Sequence, residues 1–327
     1  MFRIGSILCG LALIWGCSSP HESSDLESWS KDEGKLRILS TTAMIDDLVG
    51  EIGGDRVNHI ALIFGEIDPH SYELVKGDSE KFNLANLVFY NGLGLEHGAS
   101  LHYQLKNHPN AVALGDLILE KFPEEKITVD HQVDPHIWMD ISLWSRAIDP
   151  IAQALIQKDP AGESTYLQNA ETLRKKMGEA HTQIYTDLQQ IPQEKRYIVT
   201  SHDAFNYFTR AYLAEPSEVE TGGWEKRFDA PEGLAPEGQL SSSDIQQVIN
   251  HLIEYHIEIV FPESNVSQDS LKKVIHACAQ KGLIVTLSKE ALYGDSMGPK
   301  GSGAHTYLNM IEYDASVLEK AWKKGSL

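Results

Sequence analysis

Cysteine is scarce in this chain. Only Cys9, Cys17 and Cys278 occur among 327 residues, too few for a disulfide-stapled fold and without the spacing of a thiolate metal cluster. Positive charge is also in short supply: 28 Lys and Arg stand against 47 Asp and Glu, a formal net charge of −19. A surface of that sign repels nucleic acid, argues against phosphate binding and suits a cation. Long hydrophobic runs are missing as well. The longest, residues 4–15, falls short of the roughly 20 apolar residues that a membrane helix needs. No HExxH word is present, so the helix on which zinc proteases mount ligands and base is lacking.

What is there begins with a processing signal. Arg3 precedes the apolar run, which closes at Gly16-Cys17, the layout of a secretory signal over residues 1–16. A small residue before cysteine resembles the bacterial lipobox, which implies cleavage before Cys17 and lipid attachment there. Residues 17–34 are polar and read as a disordered tether. The expected location is periplasmic or cell-surface, lipid-anchored to the membrane. Cys278, on a helical apolar face, is left as a small buried hydrophobe.

Two α/β blocks follow, with one long helix between them. In the first block, 36–40, 57–64, 87–90 and 111–114 read as strands, with helices over 43–52 and 78–85. In the second, strands over 197–200, 257–261 and 284–287 alternate with helices over 242–255, 268–279 and 306–322. Apolar strands joined by helical crossovers argue for parallel sheets covered on both faces. Between the blocks, Tyr166, Leu173, Met177, Ile184 and Leu188 recur at spacings of 7, 4, 7 and 4 over 163–190. That stripe predicts a connecting helix about 40 Å long. Residues 215–241, with four glycines and three prolines, read as a long loop. The expected division is an N-terminal lobe over 35–160, a linking helix over 161–192 and a C-terminal lobe over 193–327.

Within this frame one word occurs twice. Asp68-Pro69-His70 returns as Asp134-Pro135-His136. Proline fixes its own φ and keeps the preceding residue out of the α region, so each word aims an imidazole from a turn. His202 and Asp295 hold comparable places where strands give way to loops. In open α/β sheets ligands bind beyond the carboxyl ends of the strands. Two lobes facing each other bring two donors from each side into one cleft. Three imidazoles and a carboxylate suit Zn²⁺ best and accept Mn²⁺ or Fe²⁺, one divalent transition metal ion in all. Asp68 and Asp134 either accept a hydrogen bond from behind their histidines or stabilise the turns, and Asp140 and Asp203 are further candidates. Trp138 and Phe205 either wall the site from water or simply pack. The remaining histidines follow no ligand spacing; His131, five residues before His136, is the one to watch.

Seven words in order now carry a resemblance. They are Ser40-Thr41-Thr42, Asp68-Pro69-His70-Ser71-Tyr72-Glu73, Tyr90-Asn91-Gly92-Leu93-Gly94-Leu95-Glu96 and Asp134-Pro135-His136-Ile137-Trp138-Met139-Asp140. The others are Ser201-His202-Asp203-Ala204-Phe205-Asn206-Tyr207-Phe208, Phe261-Pro262-Glu263-Ser264-Asn265-Val266-Ser267 and Leu292-Tyr293-Gly294-Asp295-Ser296-Met297-Gly298. Together they resemble the TroA-like zinc and manganese receptors of bacterial ABC importers. The Glu237-Gly238 region and the surroundings of Trp224 are most similar to the chlamydial members. The resemblance implies two α/β lobes joined by a rigid helix, with the metal held between them by His70, His136, His202 and Asp295. It also implies an ABC permease as partner and a monomeric receptor.

Three functions fit these features: a metal receptor, a metal-binding adhesin or storage lipoprotein, and a zinc hydrolase. The last is disfavoured, because four protein donors would close the position that catalytic zinc keeps open for water. Two physical expectations follow. Protons should compete with metal for the imidazoles, so affinity should fall below pH of about 6.5. The continuous helix should limit rotation of the lobes, leaving the glycine-rich loop 292–303 as the expected mobile part.

Overall fold

The computed structural model describes residues 29–31, 34–236 and 240–324. The signal segment 1–16, Cys17, most of the tether and the Glu237-Gly238 word lie outside these residues. The end of the tether is not free chain. Trp29 is 1% exposed, its indole N–H donates to the Asn58 carbonyl at 3.0 Å, and Asn58 returns an amide bond to the Trp29 carbonyl. An aromatic ring in an otherwise polar stretch gains enough burial to dock.

The first half is built on a four-stranded parallel sheet. Its strands are β1 (Leu36–Ser40), β2 (Val57–Ala61), β3 (Leu87–Tyr90) and β4 (Ala111–Ala113), in the order β2-β1-β3-β4. The crossover helix Ala43–Gly53 buries Met44, Ile45, Leu48, Val49 and Ile52. Such a run follows from an apolar residue every three or four positions. An antiparallel hairpin follows, β5 (Thr128–Val129) with β6 (Gln132–Val133).

The second half repeats the topology with shorter strands. Here β7 (Ile198–Val199) pairs with β8 (Phe228–Asp229), and β9 (Ile259–Val260) with β10 (Thr286–Leu287), all parallel. The Phe261 N–H donates to the Val199 carbonyl at 2.8 Å and joins the two pairs. The resulting order, β8-β7-β9-β10, mirrors that of the first half. The stretch 215–241 is not one loop. It holds the helix Pro216–Thr221, started by a capping box between Glu215 and Glu218, and then β8.

The long helix spans Glu163–Gln189 and buries Tyr166, Ala170, Leu173, Met177, Ile184 and Leu188. Every member of the expected stripe faces the core, and Ala170 joins it. That core is continuous through the molecule, running from Ile38 and Phe89 through the helix to Phe205, Phe261 and Trp322. The closing helix Tyr307–Lys324 also spans the halves, because its Tyr307 N–H donates to Asp47 on the first crossover helix at 3.0 Å. Burying apolar surface on both sides of one helix opposes relative rotation. Among the described residues no helix is long and apolar enough to cross a membrane. The fold is α/β, with parallel sheets on either side of a single long helix.

Candidate metal centre

His70 stands in the turn that follows β2. Asp68 builds that turn by accepting from the His70 N–H at 2.9 Å and the Ser71 hydroxyl at 2.7 Å. It therefore serves the backbone and does not reach the ring. The Gly98 N–H donates to the His70 carbonyl at 3.2 Å from the other side. A methyl group at Gly98 would overlap the Tyr72 carbonyl. Gly98→Ala should therefore cost about 1–3 kcal/mol of stability. It should also weaken metal binding, because the strained backbone leads directly to His70. Paired thermal melts and metal titrations check both effects; unchanged affinity would separate this turn from the site.

His136 also stands in a turn after a strand, but that strand is not part of the parallel sheet. It follows the β5–β6 hairpin, whose turn carries positive φ at Asp130 and His131. Two adjacent residues of that sign make a tight hairpin turn, and they place His131 exposed at its tip. His131 is accordingly not among the converging side chains. Behind His136, Asp134 Oδ1 accepts from the backbone N–H at 2.9 Å and faces ring Nδ1 at 2.7 Å.

His202 follows β7 and has its own carboxylate. Glu263 accepts from the His202 N–H at 2.8 Å and stands 2.7 Å from ring Nδ1. Asp295 lies beyond β10 in a segment fixed at several points. Leu292 exchanges hydrogen bonds with the 262–264 backbone, Tyr293 N–H donates to Asp314, and the Trp138 indole donates to the Gly294 carbonyl at 2.8 Å. Asp140 caps the short helix Ile141–Trp144, and Asp203 accepts from Asn206. Phe205 packs against Phe208 and Phe228, while the Trp138 ring lies 5.3 Å from that of His136. Trp138 thus lies against a site residue, and Phe205 packs within the aromatic core.

One donor atom from each of His70, His136, His202 and Asp295 falls within 4.8 Å of every other, and all four residues are buried. The spacings are informative. His70 Nε2 and His136 Nε2 are 3.2 Å apart. Asp295 oxygens stand 3.5, 3.3 and 3.1 Å from Nε2 of His70, His136 and His202. Donors about 2.0–2.1 Å from one tetrahedral ion lie roughly 3.3–3.4 Å from each other. Both Asp295 oxygens and His202 Nε2 are buried without an aligned hydrogen-bond partner, although they lie within ion-pair distance. The His70 and His136 Nε2 atoms pair with each other instead. The carboxylates behind Nδ1 of His136 and His202 turn each Nε2 inward, as second partners of metal-binding imidazoles do.

The charges agree. Burial would depress the His136 ring, yet Asp134 and Asp295 overcome it and carry the pKa up to about 9. His202 is held well above the ordinary histidine value, with Glu263 and Asp295 outweighing burial. Burial wins at His70 and lowers it. Asp295 sits well below the usual carboxylate range, because three imidazoles overcome its burial.

Sequence reasoning placed all four converging residues and named Asp134, which stands behind His136, but it missed Glu263 behind His202 and Asn206 behind Asp134. Glu263 lies in the loop just after β9, a strand-end place like those of the other site residues, and that place was its available signal. Asn206, whose amide reaches Asp134 across the cleft, left none.

A model of the family described as zinc-uptake complex component A, periplasmic, matches residues 38–321. The metal-binding protein YtgA of Chlamydia trachomatis is 40% identical over 291 residues, 89% of each chain. The crystal structure of Fe(III)-bound YtgA from that organism superposes with a TM-score of 0.82 at 38% identity, covering 87% of this chain and 97% of that one. The manganese-binding lipoprotein MntA of Bacillus subtilis is 29% identical over 323 residues, 98% of each. The chain belongs to the zinc-uptake complex component A family, whose members are metal-binding substrate-binding proteins and not enzymes.

Proposed function

We propose that this protein captures one divalent transition metal ion outside the cytoplasm and delivers it to an ABC permease. His70, His136, His202 and Asp295 are the ligands. The observation that carries the reading is the 3.1–3.5 Å clustering of four buried donors, in which both Asp295 oxygens and His202 Nε2 lack a hydrogen-bond partner. Three nitrogens and a carboxylate favour Zn²⁺. Asp295 presents both oxygens inward, Oδ1 to His136 and Oδ2 to His70 and His202. Binding through both would raise the coordination number and accommodate Mn²⁺ or iron. Similar proteins carry zinc, manganese or iron in their descriptions, so likeness does not choose among them.

Lipid on Cys17 would keep the receptor beside its permease as a monomer. The lobes are read as 35–160 and 193–327, with the helix of 161–192 between them. The test is metal analysis of protein taken from its own host under metal-limited growth, together with radiolabelled metal uptake. One bound ion and uptake that fails in a His136→Ala strain are expected. Uptake that is indifferent to this change would favour adhesion or storage.

A further inference from the structure

We infer that Asn206 is a positioning residue: its amide fixes Asp134, and through it His136, in register with the ligands of the second half. The inference rests on the reading of His136 as a ligand.

Asn206 is 8% exposed and opens the short helical turn Asn206–Phe208, four residues after His202. Its Nδ2 donates to Asp134 Oδ2 at 3.0 Å and to Asp203 Oδ1 at 2.5 Å. Both partners are carboxylates, so the nitrogen must be the atom that faces them. Asp134 thus divides its oxygens. Oδ1 serves the backbone and ring of His136, and Oδ2 is held by a residue 72 positions further on. Without that donor one oxygen of a fully buried carboxylate would lose its partner, and the group could turn about its own bond. The His136 ring would turn with it.

A second tie lies on the other side of the ligand. Two residues after His136, the Trp138 indole binds the Gly294 carbonyl, and the Tyr307 hydroxyl donates to the Trp138 carbonyl at 2.7 Å. His136 is carried by the first half of the chain, yet both its flanks are fastened to the second. The other ligands differ. Glu263, which orients His202, comes from the same half as that histidine. The turn of His70 is held by Asp68 and Gly98, both from the first half. Three donors therefore share one frame, and His70 completes the set from the other side.

The experiment compares Asn206→Ala, Asp134→Ala, the double variant and His136→Ala in the full chain, titrated with Zn²⁺ and Co²⁺. Asn206→Ala should weaken Zn²⁺ binding by roughly 10–100-fold, the usual cost of losing an outer partner, and shift the visible band of the Co²⁺ complex. In the Asp134→Ala background the same change should add nothing, since the residue acts through that carboxylate. Parental affinity in Asn206→Ala, or losses that multiply in the double variant, would overturn the inference. His136→Ala separates the two claims. If it binds as the parent does, the ligand reading falls; if it loses binding while Asn206→Ala does not, only the positioning role falls. Should Asn206→Ala not fold, Asn206→Leu fills the same space without a donor and is judged by the same outcomes.

Discussion

Asp295→Ala is expected to lower Zn²⁺ affinity by more than about a hundredfold, beyond the roughly 10–100-fold cost of an outer partner. It removes the only anionic donor of the set, and with it the charge that three imidazoles surround. The fold should persist, because His136 and His202 keep Asp134 and Glu263 behind them. His70→Ala should act in the same way, since no carboxylate is left stranded behind its ring. His136→Ala and His202→Ala should lose binding equally but also lose stability. Each leaves a buried carboxylate without its ring partner, at about 1–3 kcal/mol or more for a charged group. Calorimetric titration and thermal melts of the four variants separate these effects. Tight binding retained by any one would remove that residue from the ligand set.

Metal uptake at neutral pH should release protons. With His136 near 9 and His202 raised well above the ordinary value, both rings carry a proton at pH 7, and a metal ligand must be neutral. His70, lowered by burial, is already neutral there. Affinity should therefore keep rising with pH through about 9, by roughly tenfold per pH unit for each proton displaced. Unperturbed imidazoles would level off just above 6.5, so the carboxylates behind the rings move the expected window upward.

The same shifts act on stability. A histidine raised in the folded state stabilises fully below its unfolded pKa, and that contribution fades as pH climbs through the folded value. The metal-free protein should thus lose stability from pH 6.5 to about 9 through His136, and His202 adds a loss of the same sign as pH rises above 6.5. The lowered His70 acts oppositely and costs stability only as pH falls below about 6.5. Calorimetry in buffers of different ionisation enthalpy counts the protons. No net release at pH 7 would contradict the charge states assigned to the two rings.

Local chemistry was the most legible part of this chain. The Asp-Pro-His turns, the strand ends and the apolar stripe of the long helix each depend on residues near one another in sequence. All four ligand candidates and the span of the helix could be read for that reason. Strand lengths could not. The run 257–261 reads as one strand, but the strand itself spans only Ile259–Val260, because a ladder needs a neighbour as well as a pattern. The helix Ala99–Asn107 went unread because it buries only Leu101 and Leu105, too thin a stripe to stand out. The tether hid Trp29, whose docking depends on Asn58 of the edge strand β2, 29 positions further on. Glu263, Asn206 and the Trp138–Gly294 bond are tertiary facts. Nothing in local periodicity joins residues 61, 72 or 156 positions apart.

The central claim is that one ion sits among four named donors. Anomalous diffraction from crystals of the protein loaded with Zn²⁺, recorded on both sides of the zinc edge, tests it most directly. The expected result is a single strong peak about 2.0–2.2 Å from Nε2 of His70, His136 and His202 and from an Asp295 oxygen. A peak elsewhere, or one at this place with any of the four side chains turned away, would contradict it.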